Sequence, residues 1–220
     1  MNPKGSKTFL EPLDSIEDII AIIEELAKED RARGGQPACP IFTIGVFCGF
    51  RIGDILELKI GNVCDKGKRI KTTIRIREQK RGKPIERTVP DIARKILKEY
   101  IDSLDWSKVK YQSYLFESTR RAGHPYTCAW FSQRLKLAAA VCGIEQRVAS
   151  HTMRKTFARL AYDTNRQNHS AYPTEYSALE SVSKMIGHST TATTERYIGL
   201  DKERERETIS GINHHFVGRI

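Results

Sequence analysis

The sequence predicts a mainly helical fold with a small antiparallel β-sheet, of the α+β class. Over most of the 220 residues, apolar side chains recur at the three- and four-residue spacing of an amphipathic helix. A period of two, which is typical of strands, occurs in the region between residues 69 and 89. Strands do not alternate with helices along the chain, so nothing favours a parallel sheet or a dinucleotide-binding fold.

Three helices are predicted in the first part of the chain. Residues 1–13 form a loose lead or linker, and Asp14 can then cap a helix whose apolar stripe continues to a pair of glycines. Residues 41–48 are apolar on all sides, which predicts a buried helix that ends at Gly49. Residues 51–58 follow as a short helix that begins at this glycine break.

A β-hairpin is predicted next. Between residues 69 and 77, isoleucine and threonine on one face alternate with mostly basic residues on the other. The basic, glycine-containing segment 80–83 predicts the turn, and residues 85–89 return as the partner strand. The sheet is therefore expected to have two antiparallel strands.

The remainder of the chain is predicted to be almost wholly helical. One helix follows Pro90, another lies around residues 130–138, and Ser150 is the expected cap of a third. A polar stretch at 164–175 breaks the helical pattern and predicts an exposed loop, longer than usual, that we place within residues 163–176. A short amphipathic helix should follow this loop.

These elements suggest a simple domain organisation. We expect the lead at residues 1–13, one main domain at 14–200, and a charged helix with a tail at 201–220. The apolar pair Phe216 and Val217 in that tail is our candidate for contact with a neighbouring protomer, the alternative being a disordered end.

Charge indicates the kind of partner. The 37 Lys and Arg residues against 27 Asp and Glu give a net charge of +10, which favours nucleic acid over a membrane. No apolar run approaches the roughly 18 residues of a membrane helix, and the N-terminus lacks a signal-peptide core, so a cytoplasmic, nucleoid-associated location is expected. Five cysteines without a C-x-x-C pair argue against both disulfides and a zinc site.

Four side chains supply the groups needed for tyrosine attack on a phosphodiester: His151, Arg154, His188 and Tyr197. A phenol with a pKa near 10 is only about one part in a thousand ionised at pH 7, so it needs a base and cations on the phosphate. His151 and Arg154 share a helix face, and the arginine fork matches two phosphate oxygens. The alternative is that such a pair merely forms a solvated basic face, and that Tyr197 is a core aromatic.

Arg51 and the hairpin turn extend this set. Arg51 lies between an apolar helix and the apolar start of the next segment. A charge in that place is costly without an anion or an acid partner, so the position of Arg51 favours a functional role. At a helix start, it would also share an anion with backbone N–H groups. In the turn, Lys80, Arg81 and Lys83 could each be a plain phosphate contact.

Five segments together resemble the tyrosine recombinases, the phage integrase family. They are, in order, GFRIGDILELK, EQKRGKPIERTVP, YLFESTRRAGHPYTCAWFSQRLKLAAAVCGI, HTMRKTFARLAYDTN and SKMIGHSTTATTERYIG. The resemblance extends from about residue 14 to Tyr197 and implies that family's catalytic-domain architecture. It identifies the catalytic set as Arg51, Lys80, His151, Arg154, His188 and Tyr197. From its position one turn after Arg51, Asp54 is expected to brace that arginine.

The resemblance implies site-specific DNA recombination for a mobile element, such as integration, excision or transposition. Tyr197 would form a 3′-phosphotyrosine without metal or cofactor, and exchange would pass through a Holliday junction. The expected partners are double-stranded DNA at specific sites and accessory DNA-bending proteins, with the chain monomeric in solution and tetrameric on DNA. Alternatives are type IB topoisomerase-like relaxation and a non-cutting DNA-binding module. Candidate DNA contacts are Arg81, Lys83, Arg120, Arg121, Arg134 and Lys136.

Family members usually carry a further N-terminal helical domain that closes around DNA. The segment before residue 14 is too short for one, so the sequence is either an isolated catalytic fragment or a small natural member. In both cases we expect weaker and more salt-sensitive binding to DNA.

Overall fold

The computed structural model describes residues 10–13, 15–80 and 82–217, apart from the side chain of Phe216. Within this part of the chain, helices dominate and one two-stranded antiparallel sheet is present. The predicted mainly α fold with a small antiparallel sheet is therefore confirmed.

The chain divides into two compact units, residues 1–157 and 158–220, and the boundary falls inside the seventh helix. The elements up to that helix are α1 (Ile16–Ala32), α2 (Ala38–Cys48), α3 (Ile52–Leu56), α4 (Ile60–Val63), β1 (Thr73–Arg77), β2 (Pro84–Thr88), α5 (Asp91–Ser103), α6 (Cys128–Val141) and α7 (Ser150–Gln167). The elements that follow are α8 (Glu175–Ile186), α9 (Thr191–Ile198) and α10 (Leu200–Phe216).

The first helix begins at Ser15, whose side chain accepts a hydrogen bond from the backbone N–H of Asp18 at 3.2 Å. This is the usual way to satisfy a free N–H in the first turn of a helix. The cap predicted at Asp14 lies outside the described residues. At the other end of α1, the carboxylate of Asp30 accepts from the N–H of Cys39 at 2.7 Å and so fixes the start of α2.

The core of the first unit is built around α2, which is buried along nearly its whole length, as its apolar sequence predicts. Two glycines let the start of α7 approach it closely. A Cβ at Gly45 would lie 2.5 Å from the Met153 sulfur, and one at Gly49 would lie 2.2 Å from the Phe157 ring. Gly49 also ends α2 in the left-handed conformation, with φ of 66°. These contacts fix the first turns of α7.

The hairpin forms as predicted but begins later. Thr73 pairs with Thr88 and Arg77 with Pro84, in antiparallel register. Residues before Thr73 are taken up by a turn in which the Asp65 carboxylate accepts from the N–H groups of Gly67 and Arg69 at 2.8 and 3.1 Å. Ile70 and Lys71 then pair with Cys64 and Val63, so the ladder with β2 starts only at Thr73.

The predicted exposed loop is shorter than expected. Helix α7 continues to Gln167, so the connection to α8 is confined to residues 168–174. Polar side chains stabilise the added helical turns, because Arg159 pairs with Asp163 one turn later at 3.0 Å. Ser150, the predicted cap, is the first residue of the helix, and the hydroxyl of Thr152 accepts from the preceding Ala149 N–H at 3.1 Å.

Two short helices were not predicted. Helix α4 spans only four residues, and α9 buries only Thr194 and Ile198. Helix α9 begins at Thr190, whose side chain accepts from the Thr193 N–H at 3.2 Å. Neither segment has the long apolar stripe that predicts a helix. Local hydrogen bonds stabilise both helices instead.

Candidate active site

Arg51 lies immediately before α3, where its backbone caps the helix. Its guanidinium forms an ion pair with the carboxylate of Glu78 through Nη1, and the two side chains are 22% and 6% exposed. A guanidinium has five N–H donors, so this pair does not exhaust its capacity for an anion. Arg51 is therefore held by a buried acid while its charge stays accessible.

The acid that braces Arg51 is Glu78, and not Asp54 as the sequence predicts. One carboxylate oxygen of Asp54 instead accepts from the N–H of Gln79 at 3.0 Å. Asp54 is 5% exposed, and its other oxygen has no hydrogen-bond partner among the described residues. Its observed role is to fasten the hairpin end to α3.

Glu78 also closes the hairpin turn. Its N–H donates to the Lys83 carbonyl at 2.9 Å, and its carbonyl accepts from the Gly82 N–H at 2.8 Å. Between these bonds, Lys80 is exposed at the tip of the turn, and Lys83 is exposed beside it. Arg81 lies outside the described residues. Glu78 therefore connects the turn that carries Lys80 to Arg51.

Arg154 lies in the second turn of α7 and is 5% exposed. Its Nη1 donates to the carbonyl of Gly49, the residue that ends α2 two positions before Arg51. A buried guanidinium requires such acceptors because an unpaired charge in the interior is costly. Arg154 is therefore bound to the same short segment of chain that carries Arg51.

His151 lies one turn before Arg154, and its side chain reaches solvent while part of it packs against the protein. Partial burial lowers its pKa below the ordinary value of 6.5, and the nearby positive charges of Arg154, Arg51, Lys155 and Lys80 lower it further. The structure thus brings three of the predicted cations within electrostatic reach of His151. At pH 7 its imidazole is neutral and can accept a proton.

The second unit carries His188 and Tyr197. Gly187 ends α8 in the left-handed conformation, and His188 follows it. The His188 and Tyr197 rings meet edge to face, with centroids 4.9 Å apart and an interplanar angle of 88°. His188 Nδ1 lies 3.1 Å from the Thr194 hydroxyl, and Tyr197 is half-buried in α9. The histidine and the tyrosine are therefore neighbours in the second unit.

The predicted DNA contacts fall into two groups. Arg120 and Arg121 lie in an exposed turn, and Lys136 is exposed on α6. Arg134 is only 7% exposed and forms an ion pair with Glu29 of α1. It is therefore at odds with the predicted DNA contact, because it faces α1 on the buried side of α6.

Glu78 and Thr194 are neighbours of the site that the sequence reasoning missed. Glu78 had a detectable signal, because the period of two places it on the same face as Ile74 and Ile76. An acid on the apolar face of a strand requires a cationic partner. Thr194, in a run of threonines, had no comparable signal.

Among the described residues, no group of three or more His, Cys, Asp or Glu side chains could hold a metal ion. No helix in the same part of the chain is both long and apolar enough to cross a membrane.

The sequence is similar to known proteins over nearly its whole length. The model of the phage integrase family matches residues 12–204. A protein of Bacillus subtilis (strain 168), described as the probable integrase/recombinase YoeC, is 26% identical over 198 residues, which cover 90% of this chain and 94% of that protein.

The fold is similar to those of solved recombinases. The crystal structure of XerA recombinase matches with a TM-score of 0.66 at 23% identity, over 96% of this chain and 66% of that one. The XerH site-specific recombinase, bound to a palindromic difH substrate in a post-cleavage complex, matches with a TM-score of 0.65 at 23% identity, over 95% of this chain and 55% of that one. The chain thus spans only part of the length of both recombinases, and the similarity confirms the predicted catalytic-domain fold.

Proposed function

Because this chain belongs to the phage integrase family, the tyrosine recombinases that cleave and rejoin DNA strands, we propose that it recombines DNA at specific sites through a 3′-phosphotyrosine intermediate. The observation that carries this proposal is the anchored pair of Arg51 and Arg154, with His151 one turn before Arg154 on the same helix. In the second unit, Tyr197 and His188 supply a nucleophile and a further hydrogen-bonding group.

Arg51 and Arg154 form the proposed phosphate clamp. Each is fixed by an acceptor of the protein, Arg51 by the Glu78 carboxylate and Arg154 by the Gly49 carbonyl. Fixed donors stabilise charge that develops in the transition state without reorganising during the reaction. We propose that each arginine binds one non-bridging oxygen of the scissile phosphate.

Tyr197 is the proposed nucleophile and His151 the proposed base. In the first step, the Tyr197 oxygen bonds to phosphorus while its proton passes to the neutral His151. General-base assistance of this kind is worth roughly 10² to 10⁴ in rate. The lowered pKa of His151 supports this role because it keeps the ring unprotonated near pH 7.

Lys80 is the proposed acid. As the bond between phosphorus and the 5′-oxygen breaks, the Lys80 ammonium donates a proton to that oxygen and leaves a free 5′-hydroxyl. Its place at the tip of a turn attached to Arg51 supports this role. Lys83 and the undescribed Arg81 share the turn, and we propose that they contact DNA phosphates.

The covalent ester retains the energy of the broken bond. A 5′-hydroxyl of a partner strand can attack the 3′-phosphotyrosine, release Tyr197 and restore a phosphodiester without ATP. These residues supply the cations, the base and the acid themselves, so the proposed steps require no cofactor.

The proposed partner is double-stranded DNA bearing a recombination site. The net charge of +10 and the exposed basic residues Arg120, Arg121 and Lys136 support it, as does the bound substrate of the XerH complex. We further propose that the chain is monomeric in solution, forms a tetramer on DNA with accessory DNA-bending proteins, and acts in the cytoplasm at the nucleoid.

Helix α10 is the proposed contact between protomers. Ile209 and Ile212 on it and Val217 immediately after it are 60%, 50% and 68% exposed, so apolar side chains are available there for contact with a second protomer. The main chain of Phe216 is helical, and its side chain is outside the described residues.

A nicked suicide duplex containing the chain's own recombination site tests the proposed function. Wild-type protein should give a covalent protein–DNA adduct on a denaturing gel, and Tyr197→Phe should give none. Tyr176→Phe is the matched control, because Tyr176 lies in the same unit and is 65% exposed. Failure of the wild type, or an adduct with Tyr197→Phe, would refute the proposal. Relaxation of a site-free plasmid without strand exchange would favour the topoisomerase-like alternative.

A further inference from the structure

A buried chain of hydrogen bonds lies behind His188. Ser183 and Thr194 are 5% and 0% exposed. The Ser183 hydroxyl lies 2.8 Å from the Leu179 carbonyl and 2.7 Å from the Thr194 hydroxyl, which in turn lies 3.1 Å from His188 Nδ1. Three contacts therefore connect a carbonyl oxygen to one nitrogen of the imidazole ring.

The direction of these bonds follows from counting protons. The Leu179 carbonyl has none, so the Ser183 proton must lie in the 2.8 Å contact between them. A serine on a helix commonly donates in this way to the carbonyl four residues earlier. The Ser183 oxygen then has only lone pairs for Thr194, so the 2.7 Å contact must hold the Thr194 proton. Thr194 in turn has only lone pairs left for His188.

The opposite direction leaves one contact without a proton. If Ser183 donated to Thr194 and Thr194 to His188, the Ser183 oxygen would face the Leu179 carbonyl at 2.8 Å as one acceptor against another. Two oxygens in a buried site repel each other at that distance. Only the first arrangement places one proton in each of the three contacts.

We propose that Ser183 and Thr194 are positioning residues that hold the proton of neutral His188 on Nδ1. The tautomer of a functional histidine is set by the hydrogen bond of its other nitrogen. The main chain contributes as well, because the His188 N–H donates to the Ser183 carbonyl at 2.9 Å. The relay therefore fixes both the backbone and the ring of His188.

This tautomer constrains what His188 does in the reaction. With the proton on Nδ1, Nε2 of the neutral ring carries a lone pair and accepts a hydrogen bond. The ring donates to a phosphate oxygen through Nε2 only after it has gained a second proton, and a nearby phosphate anion favours that gain. His188 thus acts on the phosphate as an imidazolium. This step rests on the proposed function, whereas the tautomer does not.

Nitrogen NMR on the full chain without DNA tests the tautomer directly. Long-range ¹H–¹⁵N spectra, recorded at a pH where the ring is neutral, distinguish a protonated Nδ1 from a protonated Nε2. The spectrum of His188→Asn assigns the signal. We expect protonated Nδ1 in the wild type and in Thr194→Ser, which keeps the hydroxyl. Protonated Nε2 in the wild type would overturn the proposal.

Two variants separate the relay from simple packing. Thr194→Val keeps the shape but removes the acceptor, so the proton should move to Nε2. Ser183→Ala leaves Thr194 in place and frees its proton to donate to Nδ1, which should also favour protonated Nε2. The second variant provides the test if the first does not fold. A proton that remains on Nδ1 in the folded Ser183→Ala variant would contradict the relay.

Single-turnover cleavage measures the consequence. Thr194→Val should slow adduct formation by ~10- to 100-fold, the order seen when the hydrogen-bond partner that orients a metal-binding histidine is removed. Thr194→Ser should react at close to the wild-type rate, and DNA affinity should be unchanged in both. Equal rates for valine and wild type would remove the relay from the reaction. Absence of any wild-type adduct would refute the proposed function and leave the NMR result standing.

Discussion

Arg51 and Glu78 form a partly buried ion pair that connects the start of α3 to the residue that follows β1. The same Glu78 closes, through its main chain, the turn that carries Lys80. Asp54 adds a second fastening through the N–H of Gln79. The end of β1 therefore holds Arg51, one arginine of the proposed phosphate clamp, and the turn that carries the proposed acid.

Loss of the Glu78 charge should impair catalysis more than DNA binding. In Glu78→Gln, Arg51 keeps a hydrogen-bond acceptor but loses the carboxylate that fixes its guanidinium. We expect adduct formation to fall by ~10-fold or more, because a shift of about 1 Å in a catalytic group can cost 10²-fold. Single-turnover cleavage at saturating protein measures this, and a filter or gel assay measures affinity.

A matched control for Glu78 lies on the same hairpin. Glu86 pairs with Arg75 at 2.5 Å, but both side chains are more than half exposed. Exposed pairs contribute little because solvent screens the two charges. Glu86→Gln should therefore cleave at the wild-type rate, and an equal loss in both variants would indicate a general effect of charge on the hairpin.

Lys80 should be dispensable when the leaving group needs no proton. Lys80→Ala should abolish cleavage of a normal 5′-oxygen and largely spare a 5′-thio substrate, because a thiolate departs without an acid. Lys83→Ala, from the same turn, should lose some DNA affinity but show no such rescue. Equal losses of Lys80→Ala on both substrates would exclude it as the acid.

Cleavage should depend on pH through His151. Partial burial and four neighbouring cations lower the pKa of this ring below 6.5, so its neutral form predominates above that pH. The contribution of this base should be constant above pH 6.5 and decline as the pH falls through the lowered pKa. His151→Ala should slow cleavage by roughly 10²- to 10⁴-fold and remove this decline at low pH.

His169→Ala, at an exposed site, is the control. If the rate of His151→Ala still declined at low pH as in the wild type, His151 would not be the base.

Arg134 should matter for stability and not for DNA affinity. Its ion pair with Glu29 joins α6 to α1, and the two side chains are 9% and 19% exposed. Removing one partner of a buried pair costs ~3–5 kcal/mol, and partial exposure of Glu29 places Arg134→Ala near the lower end. Urea denaturation measures this loss in the free energy of unfolding.

Lys136 is exposed on the same helix and provides the control. Lys136→Ala should change the free energy of unfolding by less than about 0.5 kcal/mol. A stable Arg134→Ala with weakened DNA binding would reverse this interpretation.

Elements with a strong apolar pattern could be predicted from the sequence, and polar ones could not. Helix α2 and the hairpin follow directly from their periodicity. The end of α7 and helix α9 depend on ion pairs and threonine caps, which leave little apolar signal. A polar stretch was therefore interpreted as a loop where the chain continues as a helix.

The same division applies to the site. The six proposed catalytic residues could be found because the family's motifs place them in order along the chain. Their supporting partners depend on contacts between distant segments. Glu78 is 27 positions from Arg51, and either Asp54 or Glu78 could have braced that arginine. Tertiary geometry decided between them.

Mapping of the covalent adduct tests the central claim most directly. Wild-type protein trapped on a suicide duplex would be digested with trypsin and nuclease, and the modified peptide would be sequenced by mass spectrometry. We predict a nucleotide joined through its 3′-phosphate to Tyr197. A phosphate attached to any other residue, or joined through a 5′-phosphate, would contradict the proposed mechanism.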